Sequence, residues 1–241
     1  MAAKQLPYKW LAGITPCPKG WLVVPARLAA VTLIVEDCIV MRTLDEVVDF
    51  RPKFDAAAIN IPMGFPDLPP ASGAFGDCET EAREMVGWPR RVAVRPIPSR
   101  AALNAPTRAG ALALEPWLTR DDFRRFRWLR EAANVFQPFH QRSFFSANPE
   151  LSFALLNEDQ PVRSSPFHED GVLERMALIR NKLPGSEALV AEVPPDGAGQ
   201  YHVMNAVGLL WTARRACGRA MNRLPIDPKW DTRGLRVELV R

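Results

Sequence analysis

The stretch from Trp10 to Val24 constrains the fold more than any other part of the chain. It contains an apolar run, a short turn and a second apolar run that opens with Trp21. Pro16, Pro18 and Gly20 lie between the two runs, and this pattern predicts two strands joined as a hairpin. The chain therefore begins with a sheet, and the first strand ends beside the turn.

A second strand end is predicted further along the chain. Asp55–Ile61 is a short apolar run of the kind that forms a buried strand, and Pro62–Pro66 ends it abruptly. Parallel neighbours in α/β sheets bring their carboxyl ends to one edge. We therefore expect Thr15, near the end of the first strand, to meet Asn60, near the end of this one.

Length and composition favour one domain. The chain has 241 residues, of which 47% are hydrophobic, and this is enough to bury a full core. We find no internal repeat and no linker long enough to divide the chain. Residues 1–241 are therefore predicted to form a single α/β domain.

Charge and cysteine usage narrow the class of protein. The formal net charge is +4, which permits contact with nucleic acid but is far below that of a polybasic tail. The four cysteines contain no C-x-x-C pair, which argues against a zinc knuckle and favours reduced thiols. No apolar run approaches the roughly 20 residues that cross a bilayer, and the N-terminus lacks the pattern of a signal peptide. A cytoplasmic protein with no membrane partner is expected.

Periodicity and capping residues predict the remaining elements. The longest early pattern, Thr119–Asn134, is predicted as one continuous helix whose arginines favour a solvated face, with nucleic-acid contact as the alternative. Trp88 is assigned to the core or its edge. The other predicted helices are Thr43–Phe50, Asp77–Val86, Ala101–Asn104, the residues from Pro149 to Leu156, Gly171–Lys182 and Tyr201–Ala220, and Leu235–Val240 is predicted as a terminal strand.

Six short motifs then resemble one known pattern. They are Gly13–Trp21, Ile59–Pro66, Pro89–Arg100, Asn148–Phe153, Trp211–Arg215 and Gly234–Glu238. Together they resemble the motifs of a predicted RNase H-like nuclease family, the domain of unknown function 429, and they occur in the family's order over nearly the whole chain.

The resemblance implies an RNase H-like fold, with a central mixed β-sheet flanked by helices and acidic residues gathered over the strand ends. In such sites two divalent ions about 4 Å apart stabilise the attacking water and the leaving oxygen of a phosphodiester. Mg²⁺ requires anionic oxygen ligands for this role. The carboxylates at the family's acidic positions therefore decide whether the chain can cut.

Three of those positions carry no charge in this chain. Thr15, Asn60 and Asn205 stand where the family motifs have Asp, and only Glu150 keeps its carboxylate. Asn has nearly the shape of Asp but brings no charge. The resemblance therefore implies that the two-metal site is lost. The alternatives are that Thr15 and Asn60 satisfy nearby backbone groups and that Glu150 interacts with the start of its own helix.

The proline-bounded segment after Trp88 is basic. Arg90, Arg91, Arg95 and Arg100 are predicted to bind nucleic acid through bidentate hydrogen bonds to phosphates. The alternative is a solvated loop in which some of these arginines pair with acidic residues of the Asp77–Val86 helix.

These patterns support three hypotheses of function. The first is a pseudo-nuclease that binds nucleic acid or a protein partner and uses no metal cofactor. The second is an active nuclease that uses Mg²⁺ or Mn²⁺, with Glu150 as catalytic residue and further carboxylates such as Asp55, Asp67 or Asp77. The third is a structural subunit whose former active-site face has become an interface. The sequence leaves the oligomeric state open.

Overall fold

The computed structural model describes residues 8–70 and 73–241. The strands are β1 (Lys9–Cys17), β2 (Gly20–Ala29), β3 (Thr32–Val35), β4 (Ile39–Met41), β5 (Ala56–Ile59), β6 (Phe144–Ser146), β7 (Arg223–Trp230) and β8 (Arg236–Val240). The helices are α1 (Leu44–Val48), α2 (Asp77–Val86), α3 (Arg100–Asn104), α4 (Arg108–Leu114), α5 (Arg120–Arg124), α6 (Phe126–Val135), α7 (Pro149–Leu156), α8 (Glu169–Lys182), α9 (Ser186–Ala191) and α10 (Gln200–Cys217). Residues 1–7 and 71–72 of the predicted single domain lie outside the described residues.

The central sheet is mixed, as the sequence predicts. Its strand order is β3-β2-β1-β5-β6, and β4 pairs with β2. The strand β1 is antiparallel to β2 and parallel to β5, which in turn is parallel to β6. With helices on both faces, this arrangement is an α/β architecture consistent with an RNase H-like fold. The strands β7 and β8 form a second, two-stranded sheet.

Each face of the central sheet buries its own apolar cluster. Trp21 and Phe65 belong to one cluster, together with Phe126 of α6. On the other face, Leu22 of β2 packs with Val207 of α10. The strands β1, β2 and β5 are buried on both faces, which explains why they appear in the sequence as continuous apolar runs rather than as alternating ones.

The helix α10 lies unusually close to β1. A Cβ atom on Gly13 would be 1.8 Å from the carbonyl oxygen of Ala206. Only glycine permits this approach, because any other side chain would overlap the helix backbone. The contact seats the first half of α10 over the carboxyl half of β1, where Thr15 lies.

The prediction of one continuous helix over Thr119–Asn134 is wrong at Arg125. The backbone N–H of Arg125 donates to the carbonyl of Asp122, three residues back, and this tighter turn ends α5. The helix α6 then starts at Phe126. Arg125 therefore lies at the junction between two helices.

The assignment of Trp88 to the core is also wrong. Its side chain is 70% exposed. Gly87 ends α2 with a positive φ of 65°, which glycine adopts more readily than other residues, and the chain then turns outward. The guanidinium of Arg91 lies over the indole, 5.7 Å from its centroid.

None of the helices in residues 8–70 and 73–241 combines the length and the apolar character needed to cross a membrane.

Candidate functional site

The ends of β1 and β5 meet as the sequence predicts. The backbone N–H of Asn60 donates to the carbonyl of Ile14 at 2.9 Å. The side-chain amide of Asn60 lies 3.4 Å from the hydroxyl oxygen of Thr15, to which it donates a long hydrogen bond. Thr15 is buried and Asn60 is half-buried. Two neutral side chains therefore occupy the place where the resemblance implies a pair of acids.

Asn205 lies on the helix that covers these strand ends. It is buried, at 3% exposure, and follows Tyr201 by four residues on the same face of α10. Its neighbour Ala206 makes the close approach to Gly13 on β1. Within the described part of the chain, Asn205 makes no hydrogen bond to Thr15 or Asn60, so its role as a former site position stays a prediction.

The carboxylate of Glu150 is held between two arginines. Arg90 donates to one oxygen through Nη2 at 2.7 Å and Nε at 3.2 Å. Arg175 donates to the other oxygen at 2.7 Å. Glu150 is 6% exposed, so its charge is neutralised inside the protein. A catalytic role for Glu150 stays a prediction, and both carboxylate oxygens are already engaged as acceptors.

The sequence did not point to Arg175, the partner that fixes Glu150. Its side chain is fully buried and also donates to the carbonyls of Ser164 and Gly171, at 2.9 and 3.0 Å. The sequence signal that could have identified Arg175 is its position on the buried face of α8. Arg175 lies midway between Gly171 and Ile179, the other buried residues of α8, at intervals of four.

Other carboxylates named for the nuclease alternative are engaged elsewhere. Asp55 accepts from the backbone N–H of Trp10 at 2.8 Å, and Asp77 pairs with Lys229 at 2.7 Å. Asp67 accepts from the hydroxyl of Thr232 at 2.7 Å. Across residues 8–70 and 73–241, no group of three or more His, Cys, Asp or Glu side chains is arranged to hold a metal ion.

A cavity of about 390 Å³ opens over these strand ends, and we call it the strand-end cleft. Apolar residues make up more than half of its lining, and neutral polar, cationic and aromatic side chains make up the rest. The lining includes Asn60, Asn148, Arg90, Arg95, Arg125, Trp128, Phe167 and Tyr201. Among its lining residues, all of which are described, none is acidic. The charge exposed in the cleft is therefore positive.

Arg125 is the most distinctive group in the strand-end cleft. It is half-buried, and its guanidinium forms no hydrogen bond or ion pair with any of the described residues. Burial lowers the pKa of Arg125, and the nearby cation of Arg95 lowers it further, while the carboxylate of Asp122 acts in the opposite direction. Arg95 itself lies 3.7 Å from Asp122, at the long end of an ion pair. An anion that enters the cleft meets a cation that no described residue hydrogen-bonds and whose charge is balanced only in part, by the nearby Asp122.

The four arginines predicted to bind nucleic acid lie in different environments. Arg90 and Arg95 line the cleft, although Arg90 is tied to Glu150. Arg91 is exposed beside Trp88. Arg100 pairs with the buried carboxylate of Asp231. None of the four pairs with the acids of α2 that the sequence alternative proposed.

A second cavity, of about 480 Å³, lies between the loop that follows β5 and the β7–β8 sheet. Its buried carboxylate, Glu79, accepts from the backbone N–H of Ile97 at 2.8 Å and from the thiol of Cys78 at 2.9 Å. Burial raises the pKa of that thiol well above its ordinary value. These groups satisfy one another, and the strand-end cleft therefore remains the better candidate site.

Comparison with known proteins identifies the family to which the chain belongs. The model of one family, described as "Protein of unknown function (DUF429)", matches residues 13–229. The chain belongs to the DUF429 family. No curated protein and no solved structure matches it. The DUF429 match includes Thr15, Asn60, Glu150 and Asn205, so these positions lie inside the shared domain.

Arg125 and the aromatic pair of Phe167 and Tyr201 complete the cleft of the DUF429 chain. The sequence favours a solvated face for the arginines near Arg125, with nucleic-acid contact as the alternative, and it does not point to Phe167 or Tyr201 as site residues. Arg125 lies in a run of similar arginines, and no local signal separates it from its solvated neighbours. Phe167 and Tyr201 come from distant segments and meet only in the fold, with ring centroids 4.6 Å apart. The cleft therefore combines a free cation, neutral polar groups and an aromatic pair.

Proposed function

We propose that this protein is a nucleic-acid-binding pseudo-nuclease, in which the strand-end cleft of an RNase H-like fold holds phosphate groups without cutting the phosphodiester. Thr15 and Asn60 offer only neutral oxygens where a two-metal site needs anionic ones. Glu150, the one carboxylate that remains, is neutralised by two arginines. The scaffold is retained while the charge of its site is reversed.

The observation that carries this proposal is the cation of Arg125, which forms no hydrogen bond or ion pair with any of the described residues and is balanced only in part by Asp122. Arg125 lines the cleft together with Arg95 and Asn60. A planar guanidinium matches the geometry of a phosphate and can bind it through two hydrogen bonds. The same positive charge opposes the approach of a divalent cation. The site therefore favours phosphate over metal.

Anisotropy titrations of labelled oligonucleotides would test binding. We expect Arg125→Gln to weaken the affinity for nucleic acid about tenfold, because a hydrogen-bonded charge pair is lost. The matched control is Arg108→Gln, which removes the same charge from an exposed position outside the cleft. Equal affinity of the two variants, or no binding by the parent protein, would contradict the proposal.

Cleavage assays test the other half of the proposal. We expect no turnover of single-stranded, duplex or hybrid substrates with Mg²⁺ or Mn²⁺. The informative variant is Asn60→Leu, because Asn60 is half-buried and, apart from its hydrogen bond to Thr15, faces the cleft. Metal-dependent turnover that disappears in Asn60→Leu would refute the pseudo-nuclease assignment and favour the nuclease alternative.

A further inference from the structure

We infer, on the basis of the proposed function, that the strand-end cleft selects single-stranded over duplex nucleic acid, with an unpaired base stacked on Phe167 and a neighbouring phosphate on Arg125. Both residues line the same cleft. The substrate class thus follows from the pairing of an aromatic surface with a cation.

Phe167 is an exposed aromatic side chain that the fold holds in place. It is 69% exposed, yet its ring packs on Tyr201 with centroids 4.6 Å apart and planes inclined by 32°. The backbone N–H of Phe167 donates to the hydroxyl of Ser165 at 3.3 Å, immediately before α8. One face of the ring is thereby supported by protein and the rest is open to a ligand.

An open aromatic face beside a cation is the combination that binds single strands. Bases stack on such rings regardless of sequence, while basic groups follow the backbone. Tyr201 both supports Phe167 and lines the cleft with Arg125, so the stacking surface and the phosphate group belong to one continuous site.

A duplex cannot use this arrangement. Its base faces are occupied by neighbouring bases, and it presents only phosphates and groove edges to a protein. Arg125 is half-buried, so a phosphate must enter the cleft to reach it. The volume of about 390 Å³ lies at the low end of the range for small-molecule sites, about 300–1,000 Å³. A single unstacked nucleotide unit fits that description better than a rigid double helix.

Three labelled probes of about 12 nucleotides, within the site sizes typical of single-strand binders, would test the inference. They are oligo-dT, the same strand annealed to oligo-dA, and an abasic strand with the same number of phosphates. We expect oligo-dT to bind about tenfold more tightly than either of the others.

Variants at Phe167 isolate the stacking contribution. We expect Phe167→Leu to weaken oligo-dT binding about tenfold and to leave the abasic and duplex probes unchanged, while Phe167→Tyr keeps the parent affinity. The matched control is Phe139→Leu, because Phe139 is also exposed, at 59%, and lies outside the cleft. Phe167 is an exposed residue, so its removal leaves the core intact.

The outcomes separate this inference from the function on which it rests. Equal binding of all three probes, still reduced by Arg125→Gln, would overturn single-strand selection and leave nucleic-acid binding in place. Loss of oligo-dT binding in Phe139→Leu as well as in Phe167→Leu would also overturn it. Failure of every probe to bind would overturn both.

Discussion

At the scale of residues, three charged side chains in this protein differ in how completely their charges and hydrogen bonds are paired. Glu150 is neutralised by two arginines, Arg125 lines a cavity and has no ion-pair partner among the described residues, and Glu115 is only partly satisfied. One oxygen of Glu115 accepts from the backbone N–H of Ser99 at 2.8 Å, and the other has no partner. Each arrangement makes a different prediction.

The substitution Glu150→Gln should destabilise the protein by about 3 kcal/mol, because it leaves two arginines without their buried counter-charge. Urea denaturation measures the loss. The control is Glu158→Gln, whose side chain is 85% exposed and should change stability by no more than about 0.5 kcal/mol. Similar stability of the two variants would show that the two ion pairs of Glu150 contribute little to the stability of the fold. A loss of activity in Glu150→Gln alone would therefore not establish a catalytic role.

The substitution Glu115→Gln should raise stability at neutral pH and lose this advantage in acid. Burial raises the pKa of Glu115, so the folded state binds its proton more tightly than the unfolded state does. The carboxylate then weakens folding above the raised pKa, and the penalty disappears as pH falls through that value towards the ordinary pKa.

Denaturation curves collected from about pH 4, near the ordinary pKa of a glutamate, up to about pH 8 measure this dependence. The control Glu84→Gln lies on an exposed surface and should show no such trend. A constant difference between Glu115→Gln and the parent protein across this range would contradict the prediction.

At the scale of elements, the closest contact is the crossing of α10 over β1. The substitution Gly13→Ala should cost about 3 kcal/mol or more, since the new methyl group would overlap the backbone at Ala206. The control is Gly110→Ala within α4, where a Cβ would meet its nearest neighbour at 3.4 Å and helix propensity improves by about 1 kcal/mol. Thermal melts compare the two, and a stable Gly13→Ala protein would mean that the helix can shift outward.

The start of α10 should be sensitive to acid. The Nδ1 atom of His202 accepts from the backbone N–H of Gly199 at 3.0 Å, and burial lowers the pKa of His202 below its ordinary value of 6.5. The contribution to stability is therefore present above about pH 6.5 and is lost as the pH falls towards the lower folded pKa.

The variant His202→Gln keeps an acceptor that does not titrate, and it should lose less stability on acidification than the parent protein. Denaturation midpoints between about pH 7 and pH 5, the range in which histidine titrates, measure the difference. The exposed His168→Gln serves as the control. If all three proteins lost the same stability on acidification, the titration of His202 would not explain the acid sensitivity.

Local patterns predict much of the fold because they depend on nearby residues. The hairpin, the β5 strand, the start of the helix at Pro149 and the final strand each follow from a few adjacent side chains. The meeting of Thr15 and Asn60 follows from parallel pairing. The partners of Glu150 cannot be predicted from such local patterns, because they lie 60 and 25 residues away and their burial depends on tertiary packing. The same is true of Arg125, whose neighbours in sequence look alike.

At the scale of the whole molecule, the proposed function assigns phosphate binding to the few cations of one cleft rather than to the whole surface. The net charge of +4 is modest, and only a few cations line the cleft. Neutralising about three phosphates of a single strand gives a slope of about −2 in a plot of log affinity against log salt concentration. Arg125→Gln should make the slope less steep by about 0.7. A far steeper slope that is the same in the variant would mean that nucleic acid binds to basic residues outside the cleft.

The two ion pairs of Glu150 also limit how this protein could change over evolutionary time. Placing aspartate at Thr15 and Asn60 would put two acids at the strand ends, but the carboxylate of Glu150 would still be held by Arg90 and Arg175. Releasing it means altering those arginines, and each such step leaves a charge buried without its counterpart. If the proposed function is right, a return to cleavage therefore requires destabilised intermediates, and the loss of the metal site is hard to reverse.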